Sequence, residues 1–301
     1  MIHWPSYNQS LVRRGEILFA YDFLDIWDDD LAKMNENKNG KKYKFPDSFI
    51  LIIGHIRLCF HLPYRQTEGI IKATGKILPD HPSYSQICRR VNKLAISNNR
   101  LDDHDDDDDD EEKGIIIAID STGVKVTNRG QWMQEKWNLR KKKGYLKIHI
   151  AVNIKTKEIL ALEVTDEKSY DGKVMPKLIE HVLENNKGVK IESALGDGSY
   201  DSNENFKYLQ KKKIKPTIKV RKNSVVSLEN NRLRNREVEG QTRDLLKWKK
   251  KRRYGQRWIV ETVFSAIKRM FGEYVSATKL ENMIKEMMMK VSLYNFFRRL
   301  A

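Results

Sequence analysis

Two acidic residues follow short apolar strand-like runs. Asp120 comes after Ile115 to Ile119, and Asp197 after Ala194, Leu195 and Gly196. A carboxylate at the end of so apolar a strand is costly to bury and needs compensation. If the two strands lie side by side, the carboxylates converge, and two such acids either share a proton or bind a cation. The same residues could instead cap turns, Asp120 through Ser121 and Thr122, Asp197 before Ser199. A third acid lies in YGQRWIVETVFSAIK, where Tyr254, Arg257, Glu261 and Lys268 are spaced by 3, 4 and 7. At about 100° per residue these four fall within roughly 60° of one another, opposite an apolar arc of Ile259, Val263, Ala266, Ile267 and Met270. An ordinary solvated face with a Glu261–Arg257 pair satisfies the same spacing. The cation reading points to Mg²⁺, which prefers a few carboxylates, water and phosphate oxygens; two such ions can clamp the attacking and leaving oxygens of an in-line displacement.

The charge balance suits a phosphate-bearing partner. The 301 residues carry 57 Lys and Arg against 41 Asp and Glu, a net +16. Ten of those acids lie between Asp102 and Glu112, so elsewhere 57 basic residues face 31 acidic ones. Between Lys211 and Arg257 there are 18 basic and 4 acidic residues, more clustering than solubility requires. Nucleic acid is the expected partner.

The elements that would position these groups follow from periodicity. Residues 1–101 read as an all-helical domain, with apolar residues at helical spacing in Ile17, Leu18, Tyr21 and Leu24 and again from Phe49 to Leu62. A helix from about Tyr64 to Thr74, a turn holding Gly75, Pro79 and Pro82, and a second helix capped by Ser83 suggest a helix-turn-helix. The second helix would present Ser85, Gln86, Arg89, Arg90 and Lys93 to a major groove, although a plain helical packing module fits the same pattern. The acidic run 102–112 reads as a disordered linker, since its carboxylates repel and nothing apolar can be buried. Residues 113–301 read as the catalytic domain. Strands are expected at 114–126, 144–154 and 158–166, then a helix capped by Asp171, a strand at 191–195, a helix at 202–213, a strand at 215–220, and long helices at 243–272 and 279–299. Three antiparallel strands followed by alternating helix and strand describe a mixed α/β sheet of ribonuclease-H type.

With these residues in place, the chain resembles the DDE transposases of bacterial and archaeal insertion sequences, specifically insertion-sequence family five and its relatives. Their signature of Tyr, two residues, Arg, three residues, Glu, six residues and Lys is matched by Tyr254, Arg257, Glu261 and Lys268. The first two acids fall in IAIDSTGVKV and ALGDGSYDS, and KKKGYLKIHIAVNIKTKEILALEVTD resembles the family between them. The oligo-Asp linker is a departure. The resemblance implies that Asp120, Asp197 and Glu261 hold Mg²⁺, with Mn²⁺ as a substitute. It implies that Tyr254, Arg257 and Lys268 contact transposon-end phosphates, and that the protein acts as a homodimer on the double-stranded DNA of terminal repeats and target. Competing readings are a sequence-specific DNA-binding repressor working through residues 12–101, which an intact acidic triad argues against, and a simple nuclease of ribonuclease-H type.

Other residues carry less. His149 in an alternating strand reads as a core or surface histidine, and Asp166 and Asp171 as turn and cap residues. Trp132, Trp137, Trp248 and Trp258 could stack on an unpaired base or simply pack. Cys59 and Cys88 lack metal-ligand spacing and read as reduced core residues, which excludes zinc fingers and disulfide scaffolds. No apolar run is long enough to span a bilayer and no signal peptide opens the chain, so a cytoplasmic, nucleoid-associated protein without membrane contact is expected.

Overall fold

The computed structural model describes residues 3–75, 80–96, 114–127, 144–186 and 188–300. The acidic linker at 102–112, Trp132 and Trp137 lie outside the described residues. The chain forms two compact units, one of residues 1–97 with 281–301 and one of residues 98–280.

The helical unit contains α1 (Trp4–Leu18), α2 (Trp27–Asn35), α3 (Asp47–Cys59), α4 (Tyr64–Ala73) and α5 (Tyr84–Val91). Its core follows from the apolar spacing of α3, which buries Phe49, Ile50, Ile53 and Ile56. Phe23 and Trp27 both pack on Phe49 at ring separations of 5.1 Å. Ser83 caps α5 as expected and forms a reciprocal capping box with Gln86. The C-terminal helix Leu280–Arg299 also belongs here, burying Met283, Met287, Val291 and Phe297. Running the catalytic domain to residue 301 therefore differs from the observed packing: an apolar helix joins whichever core it completes, and chain order does not say which.

The second unit is a mixed sheet in the order β3-β2-β1-β4-β5, built from β1 (Ile115–Val126), β2 (Tyr145–Asn153), β3 (Ile159–Asp166), β4 (Ile191–Gly196) and β5 (Lys215–Ile218). β1, β2 and β3 pair antiparallel, while β4 runs parallel to both β1 and β5. This is the ribonuclease-H-type arrangement expected. Along β1 the side chains alternate. Ile117 and Ile119 enter the core formed with α6 (Met175–Asn185) and α7 (Asn203–Lys211), which leaves Asp120 and Thr122 for the opposite face.

Three local expectations are corrected. Asp171 does not cap a helix: it opens a 3-10 turn and pairs with Lys147 at 2.6 Å, while α6 begins only at Met175. The strongly basic stretch Arg232–Arg243 is a helix, α8, that had not been anticipated. The long helix at 243–272 is instead α9 (Leu245–Lys251), a 3-10 turn at Tyr254–Arg257 and α10 (Trp258–Phe271). The break sits at Arg253, whose φ of 52° is left-handed. It turns Tyr254 inward against Trp248, with rings 5.2 Å apart. Gly272, at φ 76°, ends α10, and a Cβ there would come within 2.8 Å of the Tyr274 ring. The chain then adds β6 (Tyr274–Val275) beside the far end of β1.

Candidate active site

β1 and β4 are neighbours, with Ala118 opposite Leu195, so Asp120 and Asp197 each lie two residues further along adjacent parallel strands. The convergence inferred from the sequence required this adjacency. Asp120 is a half-buried carboxylate whose pKa is raised, first by burial and then by the charge of Asp197; the Ser121 N–H and Arg257 oppose the rise. The Ser121 N–H donates to Asp120 Oδ1 at 2.8 Å. Asp197 caps the 3-10 turn Gly198–Tyr200, accepting from the Ser199 N–H at 2.8 Å and from the Ser199 hydroxyl. Asp197 thus has both the local turn role and the converging position, whereas Asp120 lies inside β1, opposite Ile150, and caps no turn through Ser121 and Thr122. A Cβ at Gly196 would approach the buried Tyr200 ring to 3.0 Å, so a larger residue there would have to displace that ring.

Glu261 comes in from the first turn of α10, and Arg257 joins it to the strands. The guanidinium donates to Asp120 Oδ2 at 2.9 Å and to Glu261 Oε1 at 2.5 Å. Burial works against this charge, but Tyr254, Asp120 and Glu261 outweigh it and the Arg257 pKa is raised. Tyr254 is buried, and burial pushes its hydroxyl up to about 12. Lys268, two turns beyond Glu261, donates from Nζ to Thr122 Oγ1 on β1 at 2.9 Å. Tyr254, Arg257, Glu261 and Lys268 therefore do not share one helix face. Tyr254 and Arg257 lie on the preceding 3-10 turn, and only Glu261 and Lys268 share α10.

A cleft of about 660 Å³ is lined by Asp120, Thr122 and Glu261 together with Ser265, Lys268 and Arg269. Asp197 does not line it and opens onto a separate cleft shared with Tyr254 and Arg257. Among the described residues no three Asp, Glu, His or Cys side chains stand close enough together to hold a metal ion. Between Asp120 and Glu261, positive charge is supplied by the Arg257 guanidinium. The donor chemistry nevertheless fits a hard divalent cation: the acids are carboxylates without thiol or imidazole, and burial and mutual repulsion make added positive charge favourable.

The remaining candidates separate. Arg89 is exposed on α5, with Nε bonded only to its own helix at Ser85 O. Arg90 is not presented to solvent as anticipated: it donates to Phe45 O at 3.0 Å and Asp47 Oδ1 at 2.6 Å, and lies over the Tyr43 ring. His149 is fully buried on β2, bonded to Thr165 Oγ1 at 2.8 Å. Asp166 holds a turn by accepting from the Ser169 hydroxyl. Trp248 is buried and donates to Glu237 Oε2 at 2.6 Å, whereas Trp258 is 59 % exposed at the start of α10. Cys59 and Cys88 are both free. Among the described residues no helix is long and apolar enough to cross a membrane.

Sequence reasoning missed the clamp of Asp201 on Arg234 and the lysines beside Asp197. The charge count marked the segment that holds Arg234 and the lysines but not Asp201, and only the parallel pairing of β4 with β5 singles these residues out. A family model described as a transposase DDE domain matches residues 111–296, well over half of the chain, and a second model of the same description matches residues 12–129. An aspartate inside β1, a second just past the neighbouring β4, a glutamate joined to the first through Arg257 and this match agree: the chain belongs to the DDE transposases.

Proposed function

We propose that this chain is the transposase of an insertion sequence of the family-five type, which binds its element's terminal inverted repeats, cleaves DNA there and joins the freed end to target DNA. The observation that carries this reading is the placement of Asp120 and Asp197 on neighbouring strands, with Glu261 tied to Asp120 through Arg257. In this reading Asp120, Asp197 and Glu261 are the metal ligands. Divalent ions, Mg²⁺ in the cell and Mn²⁺ as a substitute, would supply an activated oxygen nucleophile and neutralise charge on the leaving oxygen. Arg257 and Lys268 give their donors to DNA phosphates, Arg257 with a planar fork and Lys268 as a point charge. Tyr254, expected from the resemblance to contact phosphate, is buried against Trp248, and in this reading it sets the direction of the turn that carries Arg257. Residues 1–101 supply recognition of the terminal repeats through α4 and α5, with Arg89 as the exposed base- or phosphate-contacting residue. Pairing of two ends makes a homodimer on DNA the working form.

The test is cleavage of a duplex carrying the sequences that flank this gene. We expect cutting at the repeat boundary with Mg²⁺ or Mn²⁺ and none with Ca²⁺ or chelator. Cutting that is indifferent to the metal, or scattered without reference to the repeats, would support a simple nuclease instead.

A further inference from the structure

The cleft that takes in Asp197 lies at the carboxyl ends of the parallel strands β4 and β5, where open α/β sheets place their ligands, and has a volume of about 570 Å³. It differs in charge from the cleft of Asp120 and Glu261. That one has three acids and two cations in its lining. Here Asp197 is the one acid among the lining residues, against the five cations Lys219, Arg221, Lys222, Lys249 and Arg257. Arg257 borders this cleft while bonding the two acids of the other.

The segment that follows β5 is held firmly, although it is short of apolar residues. The Lys219 N–H donates to Gly196 O at 3.1 Å, extending the sheet by one step. The Val220 N–H donates to the Gln241 side chain at 3.1 Å, and Gln241 donates back to Ile218 O at 2.9 Å. The Arg221 N–H and the Ser224 hydroxyl donate to Asp201 Oδ2 at 3.0 and 2.7 Å, and Arg234 pairs with the same carboxylate at 2.7 Å. Asp201 and Gln241 are both buried. The Arg221 guanidinium is itself committed to Gly198 O and the Tyr170 hydroxyl. Lys219, Lys222 and Lys249, by contrast, have no ion-pair partner among the described residues. Fixing like charges around one cleft costs self-repulsion that a polyanion would offset.

We propose that this cleft is a docking site for the phosphodiester backbone of a DNA strand, running past Asp197 on the side of Arg257 away from Glu261. Ammonium groups suit phosphate oxygens without reading sequence, and Tyr254, the aromatic residue in the lining, is too buried to stack on a base. The clamp at Asp201 and Gln241 holds the lysines in place before DNA arrives, so their ordering cost is met in the fold. The proposal rests on the DNA reading above and adds a site to it.

The test is fluorescence anisotropy of the full chain with a labelled duplex of arbitrary sequence across a range of NaCl concentrations, for the unaltered protein, Lys222→Ala, Lys249→Ala and Lys190→Ala. Lys190 is an exposed lysine that precedes β4, at the opposite end of the strand from Asp197. Each cleft substitution is expected to weaken binding severalfold and to reduce the slope of log affinity against log salt by about 0.9, the value of one duplex phosphate contact. Lys190→Ala is expected to change neither. Unchanged slopes in both cleft variants while the unaltered chain binds DNA would overturn the site and leave the DNA reading standing. An equal fall with Lys190→Ala would also overturn it, by showing a diffuse surface effect. Failure of the unaltered chain to bind any DNA would overturn the DNA reading and the site with it.

Discussion

Arg257→Ala removes the group that joins Asp120 to Glu261, and the structure says which of the two bonds matters for stability. The Arg257 and Asp120 side chains retain only 20 % and 19 % of their exposure, so they meet largely away from water. Losing one partner of a fully buried pair costs about 3–5 kcal/mol and of an exposed pair about 0–1 kcal/mol; this intermediate case should cost about 2 kcal/mol. Asp120 would then face Asp197 without compensation, adding to the burial that already raises its pKa. Glu261 is 57 % exposed, and its bond to Arg257 should contribute less than about 1 kcal/mol. For a unit of this size the single substitution should lower the melting temperature by about 4–8 °C. Urea denaturation of two double-mutant cycles separates the terms. Arg257→Ala with Asp120→Asn should show coupling of about 2 kcal/mol, and Arg257→Ala with Glu261→Gln less than half of that. Additivity within about 0.5 kcal/mol in the Asp120 cycle, or a larger coupling in the Glu261 cycle, would refute the assignment of Arg257 as the counter-charge of the strand acids.

Three further outcomes follow from the same structure. Burial lowers the His149 pKa from 6.5 to about 4, so the unfolded chain binds its proton first on acidification. The stability from this group is therefore full above pH 6.5 and should be lost by about 3 kcal/mol as pH falls towards 4, a fall that His149→Gln should remove from the urea midpoints; an unchanged pH slope would contradict it. Trp248→Phe deprives the buried Glu237 of the indole donor and should cost about 1–3 kcal/mol in chemical denaturation, and a loss no greater than that of an exposed substitution would mean that Arg252 alone suffices. Ending the chain at Leu280 removes the buried Met283, Met287, Val291, Leu293 and Phe297, each contributing about 1.5–3 kcal/mol, so residues 3–96 should lose protection from proteolysis; retained protection would show that the first five helices fold without the last.

What could be read in the sequence was whatever local chemistry decides. The strands at Ile115, Tyr145 and Ile159 were legible because β-branched residues cluster and the turn at 155–158 is short. The Ser83 cap was legible because a Ser before a helical run supplies an acceptor for a free helix-start N–H, whereas the reciprocal bond from Gln86 emerged only in the structure. Asp120 and Asp197 stood out because an acid directly after an apolar run must be compensated, although Asp120 lies inside β1, which continues to Val126. What local pattern does not hold is tertiary. The interruption at Arg253 is set by burying Tyr254 against Trp248, and no periodicity in so basic a stretch announces it. Helix α8 was hidden by its charges, since its buried contacts are the polar Glu237 and Gln241 with only Val238. Arg90 looked free on its helix because its partners, Phe45, Asp47 and Tyr43, lie more than forty residues earlier. The last helix joined the helical core for a reason of the same kind: its apolar residues fit a surface that sequence order does not reveal.

The central claim is that Asp120, Asp197 and Glu261 form one metal-dependent centre for DNA strand cleavage. Its most direct test is to assay Asp120→Asn, Asp197→Asn and Glu261→Gln separately on a duplex carrying the gene's flanking sequences, with cleavage and DNA binding followed on the same samples. A neutral amide keeps the shape of each side chain but cannot replace a carboxylate on Mg²⁺. All three substitutions should abolish cutting with Mg²⁺ while DNA affinity stays within about threefold of the unaltered chain, a difference below 1 kcal/mol. Cutting that persists in any one of them would remove that residue from the centre, and persistence in two would contradict the account.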